Sequence, residues 1–281
     1  MFFFYHQFGP AGGYLLAALS LFLRYALVAG GAWFLFFQMK RGKWWHRKIQ
    51  LSAPRRAQIL LEIRHSLATI FIFALIGGLL YFFHQQGWTR LYLSIEERGW
   101  PYLFFSALLL ILLHDTYFYW MHRLVHRPRW FNWVHAVHHL SRNPTPWAAL
   151  CFHPLEALLE LAVVPVAVFV LPLHPLALGL FGVWALVWNV VGHLGFELFP
   201  SGFTRHPVFR WFNTSTHHNL HHRYGRCNYG LYFNFWDTLL QTNHPRYHEI
   251  FEGVAGRKGR TLEALPSRGQ SADVGWETGN A

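Results

Sequence analysis

The sequence predicts an all-α integral membrane protein with about four to five transmembrane helices, and three observations predict it. Its 281 residues are 53% hydrophobic and 19% aromatic but only 13% charged, roughly half the charge of an ordinary water-facing domain. Several apolar runs approach the roughly 20 residues that a helix needs to cross a bilayer. The net charge of +11, from 24 Lys and Arg against 13 Asp and Glu, is gathered between those runs. That placement suits anionic lipid headgroups better than nucleic acid. Two Cys cannot build a disulfide framework, so a small secreted scaffold is excluded and a reducing compartment is permitted.

Residues 14–37 are apolar apart from Arg24. With no basic start, and too long for a cleaved leader, this run reads as a retained span. The second run is 67–83, and the third is 101–113, continuing through the aromatic stretch 117–121. Runs 155–173 and 176–191 form a close pair joined at His174-Pro175, either two crossings or a re-entrant hairpin. Lys and Arg number eight in 40–64, four in 122–153 and nine in 194–281, against none in 1–12 and two in 85–100. By the positive-inside rule the three basic segments are cytosolic and the N-terminus is outside.

Of the 20 His, fourteen lie between His114 and His222, and their spacing repeats. His122 and His126 stand at i, i+4; His135, His138 and His139 at i, i+3, i+4; His218, His221 and His222 repeat the second pattern. On a helix these offsets share one face, with Cβ atoms about 5–6 Å apart. Neutral imidazole is the commonest protein metal ligand and suits iron, zinc or copper. Eight imidazoles exceed the about four to six ligands of one ion, so two ions are implied. Lone histidines such as His6, His46, His65 and His84 read as interfacial or packing residues. Iron is favoured over zinc, because carboxylate and thiolate are nearly absent from the clusters. No His-Glu-x-x-His occurs, which argues against a membrane metalloprotease. The alternative is a non-catalytic, His-rich membrane protein that binds or transports zinc. Transport would favour ionisable residues spread through the spans, whereas here they gather at the span ends.

The ordered set Asp115-x2-Phe118-Tyr119-x2-His122-Arg123-x2-His126, His135-x2-His138-His139, Pro144-Thr145-Pro146 with Phe152-His153-Pro154, and His218-x2-His221-His222 is followed by Asn228-Tyr229-Gly230 and Trp236-Asp237. It resembles the fatty acid hydroxylase/sterol desaturase superfamily of integral-membrane non-haem diiron oxidoreductases, over roughly residues 101–243. The nearest branches are those of sterol C5-desaturases and alkylglycerol monooxygenases. The chain departs from the pattern at Leu239-Leu240-Gln241-Thr242, where Gly-Thr is frequent, and at Ser215-Thr216 before the third box.

The resemblance implies a cytosolic helical cap holding a His-rich dimetal site. His122, His126, His135, His138, His139, His218, His221 and His222 are the implied iron ligands, with His193 as a further one from the stretch Asn189-Val-Val-Gly-His193. Asn189 is expected to hold a metal-bound water. His217 is a competing register for the third box, and His153, Asp115 and Asp237 are expected around the ligands, orienting imidazole N–H groups. The implied organisation is a transmembrane region 1–100, a catalytic region 101–250 and a mobile tail 251–281. The chemistry is oxidation of a lipid C–H bond by O2 at two irons, giving an alcohol or an alkene. Phe104, Phe105, Tyr117, Trp120, Trp184 and Trp188 are candidate walls of a dry slot.

No Gly-x-Gly-x-x-Gly, haem-attachment or Fe–S cysteine set is present, so electrons are expected from a separate carrier or reductase, of cytochrome b5-like or ferredoxin-like type. Arg123, Arg127, Arg129, Arg205, Arg210 and Arg223 are the residues expected to dock an acidic carrier. The expected location is a bacterial inner membrane or the endoplasmic reticulum, with the site and C-terminus cytosolic. The sequence leaves the lipid, the oligomeric state and the choice between hydroxylation and desaturation open.

Overall fold

The structure is a computed structural model that describes residues 2–39 and 41–257. In chain order its helices are α1 (Phe3–Met39), α2 (Arg56–Gln85), α3 (Gly99–Val125), α4 (Pro154–Leu161), α5 (Val163–Val170), α6 (Pro175–His193), α7 (Ser215–Tyr224), α8 (Phe235–Leu239) and α9 (Tyr247–Ala255). Short helical turns join them, and the described residues hold no strand, only two isolated bridges, Lys48 with Phe196 and Phe212 with Phe233. Four helices, α1, α2, α3 and α6, are long and apolar enough to cross a membrane.

The run 155–173, a candidate fifth crossing, is instead the two eight-residue helices α4 and α5. Pro165 offers no N–H to the Leu161 carbonyl and its ring crowds that turn, which interrupts the helix. Beyond the break, the Arg90 N–H donates to the Val168 carbonyl at 2.9 Å, and the Tyr92 N–H to that of Leu173 at 3.2 Å. Both α4 and α6 open with proline at their first positions, where a missing N–H costs nothing. His153 and His174 cap them through Nδ1, accepting the Leu155 and Leu176 N–H groups at 3.3 and 3.1 Å. In α1, Gly9 has φ +68° and precedes Pro10, a pairing that breaks the helix. The break lays Tyr5 on α2, with its hydroxyl on the Ala74 carbonyl at 3.0 Å and its ring stacked 5.4 Å from that of Tyr81.

Packing follows an inverted pattern. Leu80, Leu110, Val168, Leu173 and Phe181 meet in the interior between α2, α3, α5 and α6. Large apolar side chains nevertheless cover the outside, with Leu15, Leu27, Leu75, Phe104 and Val170 all more than half exposed. Apolar surface on that scale needs a covering, and helices that satisfy their own backbone are what lipid allows.

Where the long helices meet the histidine-bearing part, the interior turns polar. Lys48 and Glu62 have no exposed surface. The Lys48 ammonium donates to the Gly195 carbonyl at 3.2 Å and lies 5.3 and 5.0 Å from the ring centres of Phe37 and Phe196. Burial lowers its pKa from 10.5 to about 7. Glu62 accepts from the Thr145 hydroxyl, and from the Gln58 amide at 2.7 Å. The Gln58 amide also reaches the Asn143 carbonyl at 2.9 Å, and Gln50 reaches Asn219 of α7 at 2.9 Å. At the other end of the chain, Phe251 and Val254 of α9 are buried, so the first residues expected in a mobile tail are packed. Residues 258–281 of that tail lie outside the described residues.

Candidate metal centre

Each histidine group sits at the end of a helix or on a short turn. His122 lies in the last turn of α3, and His126 follows its final residue. His135, His138 and His139 occupy the turns Phe131–His135 and Ala136–His139. His193 is the last residue of α6. His218, His221 and His222 stand on α7, whose start is capped by the Thr214 hydroxyl accepting the His217 N–H at 3.1 Å. Four pieces of chain thus converge on one place.

The nine expected ligands divide into two nests. His122, His126, His135, His139 and His221 form one, His138, His193, His218 and His222 the other, with the nitrogens of each nest within 4.8 Å of one another. In the first nest Nε2 faces Nε2 at 3.1 Å for His122 with His135, and for His139 with both His126 and His221. In the second, His193 Nε2 stands 3.3, 3.1 and 3.0 Å from those of His138, His218 and His222. The nests adjoin through near-parallel ring pairs, His135 on His138 with centres 5.2 Å apart and His139 on His222 at 5.0 Å.

The outer nitrogens show why these rings suit a cation. His122, His138, His193 and His221 direct Nδ1 at the backbone carbonyls of Tyr229, Cys151, Asn189 and Cys227, at 2.8, 3.1, 2.7 and 2.7 Å. His135 directs its Nδ1 at Glu156 at 2.5 Å. A carbonyl only accepts, so His122, His138, His193 and His221 carry the hydrogen on Nδ1 and a lone pair on Nε2. His138 and His193 are therefore acceptors facing each other in a buried site, an arrangement that a shared cation satisfies. Two nitrogens at right angles around an ion, each about 2.1 Å from it, stand about 3.0 Å apart, which is the spacing seen. Outside the long helices, burial first and neighbouring imidazoles second hold His135, His218, His221 and His222 well below the ordinary imidazole range. Burial takes His138 to about 4, and burial with His138 and His122 takes His139 to about 2. Neutral rings with free lone pairs are what a metal requires. The donor set fits two imidazole-bound ions.

The residues expected around the ligands are placed differently. Asp237 touches none of the nine. It accepts the Tyr229 and Gly230 N–H groups at 2.9 and 2.6 Å and the Thr242 hydroxyl at 2.7 Å, with His217 Nε2 at 3.3 Å. The second histidine register is thus an internal partner of Asp237, while His218 is the one in the nest. Asp115 likewise holds backbone, the N–H groups of Tyr232 and Phe233 at 2.8 and 3.2 Å. Together the two aspartates fix the loop whose Tyr229 carbonyl receives His122. Gly230 is required there, because a Cβ would come within 2.9 Å of Asp237 Oδ2 and 2.7 Å of the Phe233 carbonyl. Asn228 adopts φ +58°, which asparagine tolerates. It bridges the His217 carbonyl and the His244 N–H at 2.8 and 2.7 Å. His153 is a helix cap, half-buried and apart from both nests. The Asn189 carbonyl accepts from His193, its side-chain amide donates to the Ala185 carbonyl at 3.2 Å, and the residue borders a cavity of about 10 Å³ beside His193 and His218.

Sequence reasoning missed Glu156, among the described residues the one carboxylate on a nest histidine. Its signal was an acid in an apolar run, in the first turn of a proline-led helix, where a charge is costly without a partner. Of the six aromatics expected to wall a slot, Phe104, Phe105 and Trp120 are about half exposed and face outward. Tyr117, Trp184 and Trp188 pack inward with Phe118, Leu231 and Tyr232.

A fatty acid hydroxylase family model matches residues 107–242. The chain is 35% identical over 221 residues to the Delta(7)-sterol 5(6)-desaturase of Gibberella zeae, covering 75% of this chain and 67% of that protein. It is 32% identical over 204 residues to a Delta(7)-sterol 5(6)-desaturase of Aspergillus fumigatus, covering 65% and 62%. With the lathosterol oxidase of Rattus norvegicus it shares 34% over 179 residues, covering 62% and 56%. The chain thus spans between about half and two thirds of the length of these curated relatives. No solved structure matches it.

Proposed function

The chain belongs to the fatty acid hydroxylase/sterol desaturase superfamily, and we propose that it is a membrane-bound diiron oxidoreductase that uses O2 and external electrons to desaturate or hydroxylate a lipid, with a Δ7-sterol the first substrate to test. The observation that carries the reading is the pair of imidazole nests, five and four rings with Nε2 turned inward. The names of the relatives, sterol desaturases and a sterol oxidase, support the substrate class.

In this reading His122, His126, His135, His139 and His221 hold one iron, and His138, His193, His218 and His222 the other. When bound, such a pair supplies reduction of O2 and removal of hydrogen from an unactivated C–H bond. Everything else is the work of the chain. The carbonyls of Tyr229, Cys151, Asn189 and Cys227, with Glu156, lock the tautomers and aim the rings. Tyr117, Phe118, Trp184, Trp188 and Leu231 form the apolar interior that keeps water from the nests and holds a lipid by its hydrocarbon. Within it the Tyr232 hydroxyl, His114 Nδ1 and Trp184 Nε1 have no hydrogen-bond partner. Such unsatisfied groups are costly in a dry interior, and a substrate hydroxyl would satisfy them. The catalytic region 101–250 carries these parts, braced by the region 1–100.

We further assign the end of the helices that bears the histidines to the cytosol, on the basic segments flanking it. The exposed Arg123, Arg127 and Arg129 lie on that side, where an acidic, cytochrome b5-like or ferredoxin-like carrier would meet them. The test is reconstitution of the purified chain with ferrous iron, an electron donor and a Δ7-sterol, read by mass spectrometry. Loss of two hydrogens or gain of one oxygen is expected, together with about two irons per chain. Stoichiometric zinc with no iron after iron-replete expression, and no oxidised lipid, would sink the reading.

A further inference from the structure

A second site lies outside the histidine nests. The turns Phe203–Arg205 and Phe209–Trp211, with α8 and α9, border an open pocket of about 340 Å³ lined by Arg205, Arg210, Trp211, His248, Thr204 and Asn234. Arg205 and Arg210 are exposed and, among the described residues, neither is in an ion pair. The Arg210 guanidinium lies 4.7 Å from the Trp211 ring centre. Glu252, one turn from His248 on α9, is occupied by the Ser201 hydroxyl and the Gly202 N–H. The lining residues therefore present positive charge and no carboxylate.

The rim is apolar and its depth can be read. Val208, Phe209, Phe235 and Leu239 surround these turns and are 47–58% exposed. The adjacent Trp236 donates its indole N–H to the Thr116 hydroxyl of α3 at 3.2 Å and lies 5.6 Å from Trp120. Phe212 stacks on Trp188 of α6 at 5.9 Å. About 20 residues of helix fill the hydrocarbon, so α3 leaves it near Phe118, and Thr116 to Trp120 mark the headgroup level. Exposed apolar side chains around a basic pocket at that depth are the composition of an interfacial lipid contact.

We propose that this pocket binds the headgroup of an anionic phospholipid from the surrounding bilayer. Arg205 and Arg210 take the phosphate, and the rim meets the acyl chains. Charge-assisted bonds from guanidinium to phosphate give the site its affinity. The site differs from the one proposed for the lipid to be oxidised and needs neither metal nor turnover.

The test uses the full chain in neutral detergent, titrated with short-chain phosphatidylglycerol, short-chain phosphatidylcholine or inorganic phosphate, and read as a shift of the thermal unfolding midpoint. Saturable stabilisation by phosphatidylglycerol alone is expected, with binding weakened about tenfold or more in R205Q/R210Q and retained in R123Q/R127Q. The single variants R205Q and R210Q carry the comparison should the double variant fail to accumulate. Equal stabilisation by phosphatidylcholine, or unchanged binding in the variants, would overturn the proposal. So would phosphate alone reproducing the effect, which would make this a site for free anions. Unchanged lipid binding in R205Q/R210Q with lost reduction by an acidic carrier would make it a carrier dock and overturn it too.

Discussion

Glu156 and His217 show how residues of similar chemistry take different parts. Glu156 receives His135 Nδ1, so replacing it with Gln should weaken metal retention about 10–100-fold with the fold intact, measured as bound metal after dialysis against a chelator. His218→Ala should lose the ion of the second nest. His217→Asn should retain both ions and lower the unfolding midpoint instead, because His217 serves Asp237. Tyr232→Phe should raise the KM for a hydroxylated sterol more than for the same skeleton lacking the hydroxyl, and equal effects on both would remove Tyr232 from substrate recognition. Spacing alone placed the histidines on common faces, but it could not sort them into nests. Adjacent residues on a helix point about 100° apart, so the doublets His138-His139 and His221-His222 each give one ring to either centre. No single-helix argument reaches that division, because it depends on how α3, α6 and α7 converge. The carbonyls that fix the tautomers were equally hidden, since a backbone oxygen leaves no trace in residue type.

At the scale of elements, helix ends hold the histidine nests and their caps hold the helix ends. Thr214 accepts the His217 N–H and lies 3.1 Å from the Tyr247 hydroxyl. Thr214→Val should therefore cost about 1–2 kcal/mol, seen as a lower unfolding midpoint and faster amide exchange in the first turn of α7. The long helices α1, α2, α3 and α6 were legible because run length and hydropathy suffice for an uninterrupted span. The run 155–173 misled for the same reason. A hydropathy sum scores Pro165 as one more residue, and it does not register that Glu156 must face a histidine or that Arg90 and Tyr92 bind the backbone beyond the break. Those demands turn a plain span into the short pair α4 and α5, whose first turn is tied to the first nest.

The whole molecule is joined through a buried polar layer, and Lys48 makes that layer pH-sensitive. Its pKa falls from 10.5 to about 7 in the fold, so between those values the unfolded chain binds the extra proton. Stability should rise with pH across that window, by at most about 1.4 kcal/mol per unit, and be lost as pH falls toward 7. Lys48→Met should flatten the dependence in unfolding experiments from pH 7 to 10, and an unchanged slope would place its origin elsewhere. The same layer bears on how chains of this kind can be recombined. The family match begins at residue 107, yet Gln50, Lys48 and Glu62 reach Asn219, the Gly195 carbonyl and the Thr145 hydroxyl across that boundary. A chimera joining residues 107–242 to the first helices of a relative would strand those partners unless it brought matching ones. The two portions are thus one heritable unit, and a crossover between them should yield protein that fails to accumulate even when every histidine is retained.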